Sequence, residues 1–383
     1  MASDNEIQVL SSKKHRPKKW IYALWVVPVL IGISLLFWPR PKVKEEVTHI
    51  DPTLQTKVSS LLEEKLKEIW AYSGQAIVME TKTGAIKAMV GLQRNFDGTY
   101  VPCDLFAYQQ ATGLMHTFSY IAALETQKVK LTDTVDTQCG IYETDDMVLK
   151  DHNWHRGGYG MINYEKGFLV TSNISTYKAI QKAFKNRPQV YFDTLDSLKW
   201  GMVDHIDGIP NLLPRISFSP KDSLWSSYNY PLATIGYNQK IAPIQTLASY
   251  NAIANNGVMV KPQIYKGEPE IIDDSIASTE TIKAIQQAMR NTITIGLGKP
   301  ARSDKVDVAG KGGSIVVSGN EDDSEGRIYT NYLVEFCGYF PTDNPKYSII
   351  VSINKRGLPV SSGVMAGSLF SEIVDYLTDI DKK

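Results

Sequence analysis

The sequence predicts a single α/β (α+β) domain whose sheet draws strands from both ends of the chain, preceded by one transmembrane helix. Three observations carry that expectation. Strand-like apolar runs stand near residue 80 and again after residue 305, helix-period segments fill the middle, and no repeat or low-complexity linker occurs past residue 50. The 383 residues, 43% of them hydrophobic, suffice for a large core. The 41 basic residues balance 41 acidic ones, which argues against nucleic acid as a partner because no net positive potential would attract it. Cys103, Cys139 and Cys337 lie far apart without Cys-x-x-Cys spacing, so zinc-ribbon and thioredoxin-like readings fall away and at most one disulfide remains.

The uncharged run Trp20 to Trp38 is just long enough at helical rise to cross a bilayer. Residues 1–19 before it hold the basic cluster Lys13 to Lys19, denser than Arg40, Lys42 and Lys44 after it. The positive-inside rule then keeps the N-terminus cytoplasmic and exports everything beyond Pro39. A cleaved signal peptide is the rival reading. The length of the run, Trp20, Trp25 and Trp38 at its interfaces, and WPRPKVK without a small-x-small site favour an uncleaved anchor at 20–38, followed by a linker at 39–50.

The folded domain is expected over 51–383. Asp51-Pro52-Thr53 can start a helix, and Leu54, Val58, Leu61, Leu62, Leu66, Ile69 and Trp70 follow at helical spacing, with Gly74 as the stop. QAIVMETKTGAIKAMVGL reads as two strands around a tight turn at Lys82-Thr83-Gly84. Gly113 to Glu125, Tyr164 to Phe184 and Pro243 to Asn255 show apolar residues three to four apart and read as helices. HRGGYGMIN and GIPNLLPRISFSP read as turn-rich connections between them. A helix from Thr281 to Thr294, three strands in KVDVAGKGGSIVV, NYLVEFCGYF and KYSIIVSINK, and a helix from Leu369 to Leu377 complete the chain.

Three blocks carry a family resemblance: GQAIVMETKTGAIKAMV, ATIGYNQKIAPIQTLASYNAIANNGVMVKP and EFCGYFPTDNPKYSIIVSI. From about residue 51 onward the chain resembles the transpeptidase domain of penicillin-binding proteins, of the serine DD-transpeptidase and β-lactamase-like superfamily. IANNGVMVKP and GYFPTDNPKYS are most similar to Bacteroidetes members. The resemblance implies a mostly antiparallel sheet flanked by helices plus an all-helical part, and an extracytoplasmic role in peptidoglycan biology. It also implies a peptidoglycan peptide or cell-wall synthesis proteins as partners, and no cofactor.

The family's chemistry uses Ser-x-x-Lys on a buried helix, Ser-x-Asn on a loop and Lys-Thr/Ser-Gly on an edge strand. The serine attacks an acyl donor, the neutral lysine takes its proton, and backbone N–H groups hold the oxyanion. Here Thr117-Phe118 and the Ala-Ala-Leu-Glu ending at Glu125 set the register, so His116 takes the nucleophile's position and Ser119 the base's. Thr171-Ser172-Asn173 resembles the second motif, with Thr171 keeping a hydroxyl and Asn173 the amide; a helix N-cap is the plainer reading of the same residues. Lys311-Gly312-Gly313 resembles the third, keeping the cation and the close-approach glycine but losing the middle hydroxyl. By the same resemblance, the backbone N–H groups of His116 and Ser314 occupy the oxyanion positions, and Asn173, Lys311 and Ser314 are candidate ligand-binding residues. The family-equivalent set His116, Ser119, Thr171, Asn173, Lys311 and Gly313 therefore predicts a catalytically silent homologue that binds a muropeptide or a partner protein. Its rival is an acyltransferase using Ser119 with His116 as base.

Lys82-Thr83-Gly84, Ser175 to Lys178 and Ser352 to Lys355 spell family motifs out of place. His152 and His155 offer only two metal ligands at i,i+3, so no metal is expected.

Overall fold

The computed structural model describes residues 47–382, apart from 104–108, 145–146, 211 and 323–327. The expected cytoplasmic tail, the anchor at 20–38 and most of the linker lie outside the described residues. Among the described residues no helix is long and apolar enough to cross a membrane. The end of the expected linker belongs to the fold. His49 N–H donates to the Ile264 carbonyl and Lys266 N–H to the Val47 carbonyl, so the chain joins the domain ahead of Asp51.

Helix α1 (Pro52–Glu68) begins where expected, because the Asp51 carboxylate accepts from the N–H groups of Thr53 and Leu54. It buries Leu54, Val58, Leu61, Leu62 and Leu66. Its end differs from expectation. The helix stops at Glu68, Trp70 turns the chain at φ +54° and stays 76% exposed, and Gly74 lies in a strand instead of ending the helix. A Cβ on Gly74 would sit 2.8 Å from Leu66 Cδ2, so this glycine lets α1 seat on the sheet.

Strands β1 (Ser73–Glu80), β2 (Ile86–Arg94) and β3 (Tyr100–Pro102) come from the N-terminal half of the domain. Strands β4 (Ala309–Asp322), β5 (Ile328–Phe340) and β6 (Tyr347–Arg356) come from its end. They form one six-stranded antiparallel sheet in the order β4-β5-β6-β1-β2-β3, which leaves β4 as an edge. The β1–β2 turn holds Gly84 at φ +76° against the Lys261 carbonyl, where a Cβ would overlap it. Both faces of the sheet are covered, which is why β1 is buried along its length. On one face α1 and the C-terminal helix α8 (Ser368–Asp381) bury Leu62, Phe336, Phe370 and Ile373. On the other face lie the helices of the middle of the chain, with Phe118 and Trp200 at a ring separation of 4.5 Å.

Those helices are α2 (Met115–Glu125), α3 (Tyr164–Leu169), α4 (Asn173–Phe184), α5 (Pro188–Ser197), α6 (Pro243–Ala254) and α7 (Thr279–Thr294). The expected helix from Tyr164 to Phe184 is therefore two. Ser172 caps α4 by accepting from Ser175 N–H, and Thr171 just before it adopts φ +55°, so the axis breaks without glycine or proline. The turn-rich connections also carry short strand pairs that periodicity missed, such as Thr134–Asp136 with Met161–Asn163. Among the described residues no disulfide joins any of the three cysteines.

Leu62→Ala, which empties space between α1 and the sheet, should cost about 2–5 kcal/mol of stability. Trp70→Ala should cost under about 1 kcal/mol. Urea midpoints check this; equal costs would place Trp70 in the core after all.

Candidate functional site

Edge strand β4 runs past the start of α2 so closely that a Cβ on Gly313 would lie 2.6 Å from the backbone nitrogens of both Gly113 and Leu114. Glycine is required there by this approach. Beside it opens a cavity of about 330 Å³, lined by His116 of α2, Thr171 and Asn173 of the α3–α4 junction, and Lys311, Gly312, Gly313 and Ser314 of β4. Residues 360–363 also line it. Residues nearly two hundred positions apart thus meet as the motif reading expects, with one exception, Ser119.

Lys311 is fully buried, and no carboxylate pairs with it among the described residues. Its Nζ donates to Thr171 Oγ1 at 2.5 Å and to the Gly312 carbonyl at 3.0 Å, and stands 5.4 Å from the centre of the Phe168 ring. Burial lowers its pKa from 10.5 to about 7. An ammonium held by neutral acceptors and a ring face is a site that an anion would complete.

Thr171 presents its hydroxyl from a left-handed backbone, uncommon and costly for a β-branched residue. What holds it there is Asp151, completely buried, which accepts from Ser172 Oγ at 2.8 Å and from Ile174 N–H at 3.1 Å. Burial raises the Asp151 pKa despite those bonds. Asn173 is tied by Nδ2 to the Lys150 carbonyl at 2.8 Å. Ser172 caps α4, and its neighbours Thr171 and Asn173 line the cavity.

His116 is buried, with its pKa pushed well below the usual imidazole range by burial and then by the Lys311 charge, against a side-chain hydrogen bond with Asn173. Thr176 Oγ1 gives its proton to the Ser172 carbonyl and so accepts from His116 Nδ1–H at 2.8 Å. The neutral imidazole carries its proton on Nδ1. The expected oxyanion donor at this residue is engaged, because His116 N–H reaches the Gly113 carbonyl at 3.3 Å.

Ser119 departs from expectation. Its hydroxyl donates to the Thr234 carbonyl at 2.7 Å and meets Tyr191 OH at 2.8 Å, inside the helical core and away from the cavity lining. A short side chain at this position is captured by its nearest polar partners, and it makes no hydrogen bond with His116 among the described residues.

The misplaced motif matches stay apart from this cavity. Thr83 Oγ1 bonds Glu80 in the β1–β2 turn; Ser175 Oγ faces Tyr120 OH while Lys178 Nζ reaches the Asp136 carbonyl; Lys355 Nζ reaches the Arg356 carbonyl. His152 lines the cavity and bonds Tyr159 OH at 3.0 Å, and His155 is exposed. Two structural residues escaped the sequence reading: Asp151, and Glu335 on β5. Glu335 accepts from Thr112 Oγ1 at 2.8 Å, and Thr112 in turn accepts from Leu114 N–H, fixing the start of α2. Burial raises the Glu335 pKa to about 7. The lone acid inside the apolar strand run NYLVEFCGYF was the available signal, and the structure sets it directly across the strand pair from Gly313.

Because Lys311 binds fewer protons in the folded than in the unfolded chain between pH about 7 and 10.5, its burial penalty is full below that window and fades as pH rises through it. Lys311→Met should therefore raise the melting temperature most below pH 7, with the gain shrinking toward pH 10.5. Thermal melts across this range check it; a constant gain would show an amine that titrates normally.

Residues 74–375 match the family described as penicillin binding protein transpeptidase domain. Stage V sporulation protein D of Bacillus subtilis is 24% identical over 364 residues, covering 86% of this chain and 54% of that protein. Peptidoglycan D,D-transpeptidase FtsI of Escherichia coli is 21% identical over 358 residues, covering 87% of this chain and 58% of its own. The chain thus spans a little over half the length of these curated relatives. Among solved structures, the apo transpeptidase domain of penicillin-binding protein 3 from Burkholderia pseudomallei superposes with a TM-score of 0.73 at 20% identity, covering 89% of this chain and 98% of that one. The antiparallel sheet, the helical part behind it and the convergence of His116, Thr171, Asn173 and Lys311 on one cleft agree with a match over most of the chain: this protein belongs to the penicillin-binding protein transpeptidase domain family.

Proposed function

We propose that this protein is a membrane-anchored, extracytoplasmic transpeptidase homologue of cell-wall synthesis that recognises the carboxylate end of a peptidoglycan peptide without forming an acyl-enzyme. One observation carries the reading. At the start of α2, where acyl transfer needs a hydroxyl beside a neutral amine, there is a buried imidazole, and the serine hydroxyl one turn on gives its proton to a carbonyl. Ser119 therefore lacks both access to a donor carbonyl and a base to deprotonate it. The groups that would hold a ligand are present: Lys311 supplies a cation, Thr171 a hydroxyl and Asn173 a polar edge, and no Asp or Glu lines the cavity among the described residues. The basic cluster before Trp20 and the apolar run to Trp38 support the anchor and the export of the domain.

Incubation with a β-lactam followed by intact-mass analysis should give no stable adduct. An adduct on Ser119, Thr171 or another cleft side chain would overturn the pseudoenzyme reading. The His116→Ser/Ser119→Lys double variant should gain labelling if the assigned register is right.

Binding should also depend on pH. The anion favours the charged amine, so affinity for a D-Ala-terminated peptide should fall as pH rises through about 7. Lys311→Ala should weaken it by about tenfold or more. Calorimetric titration checks both; unchanged affinity in Lys311→Ala, or no binding at millimolar peptide, would defeat the proposed ligand.

A further inference from the structure

Gly312, the residue after the buried lysine, faces the segment Val360–Gly363, and that segment already fills its side-chain space. A Cβ on Gly312 would stand 2.5 Å from Ser362 Oγ and 3.0 Å from Ser362 Cβ. Ser362 has little freedom to withdraw. The next residue, Gly363, is itself wedged, with its own Cβ position 2.7 Å from the Leu297 carbonyl, and Met365 and Ala366 anchor the following turn in the core. The Ser362 hydroxyl lines the same cavity as Lys311 and makes no hydrogen bond among the described residues, while neighbouring Ser361 Oγ is occupied by Val364 N–H. A cavity whose lining, among the described residues, offers one buried cation, an uncommitted hydroxyl and no acidic side chain has the chemistry of a carboxylate site.

We propose that Ser362 supplies the hydroxyl that, together with Lys311, receives the ligand's carboxylate, and that Gly312 is glycine because Ser362 occupies the volume a strand side chain would need. The hydroxyl thus reaches the cleft from the C-terminal segment instead of from the edge strand. This rests on the carboxylate-binding reading above and adds a residue to it, along with a packing constraint that can be measured without any ligand.

The test uses the full chain, a D-Ala-terminated peptide and the same peptide as its C-terminal amide. Ser362→Ala should weaken binding of the free acid by about tenfold and leave the weaker binding of the amide unchanged. Gly312→Ser should lower the melting temperature in the parent chain, and Ser362→Gly should restore it in the double variant, which should also bind the free acid better than Ser362→Gly alone. If the parent chain binds the acid and Ser362→Ala binds it equally well, the Ser362 assignment is wrong while the proposed function stands. Tolerance of Gly312→Ser without a change in melting temperature would likewise overturn it. Failure of the parent chain to bind the acid at all overturns the assignment and the proposed function together.

Discussion

An ammonium group that no carboxylate among the described residues pairs with is the feature on which the rest of the cleft depends. Lys311 is sealed between the edge of the sheet and the α3–α4 junction, and its proton is retained only to the extent that Thr171, the Gly312 carbonyl and the Phe168 ring replace water. A buried charge compensated in this partial way opposes folding, and a bound carboxylate would relieve it. The strained backbone of Thr171 belongs to the same arrangement. Its left-handed conformation aims the hydroxyl at Lys311, and buried Asp151 braces the loop from beneath through Ser172 and Ile174. Stability spent on one loop and one amine makes mechanical sense if the two together hold a ligand.

The nucleophile end of the cleft is organised differently. Glu335 and Thr112 fix the start of α2, and Gly113 packs against Gly313, so the scaffold that would present an attacking group is intact. What it presents is an imidazole whose Nδ1 proton is committed to Thr176. Burial and the Lys311 charge both disfavour its protonation, so it cannot serve as a cationic anchor. The cleft therefore sets the Lys311 ammonium and the Thr171 hydroxyl opposite a buried neutral imidazole.

Much of this was legible in the sequence where the signal was local. Asp51-Pro52 and the leucine spacing gave α1, the Lys82-Thr83-Gly84 turn gave the β1–β2 hairpin, and the apolar runs near the C-terminus gave β5 and β6. Resemblance placed His116, Thr171, Asn173 and Lys311 together, which no periodicity could have done. The failures were tertiary. The direction of Ser119 is decided by Tyr191 and by a carbonyl at Thr234, both remote in sequence. Trp70 left the core because the chain reversed at that residue, and the helix break at Thr171 carries no breaker residue. Ser362 was invisible because its significance lies in the volume it takes from Gly312 on another element.

A crystal structure of the chain soaked with a β-lactam separates carboxylate binding from acylation in this cleft. The ring should be intact, with its carboxylate against Lys311 and Ser362 and no bond to the protein. A ring-opened acyl group joined to Ser119, Thr171 or any other side chain of the cleft would contradict it.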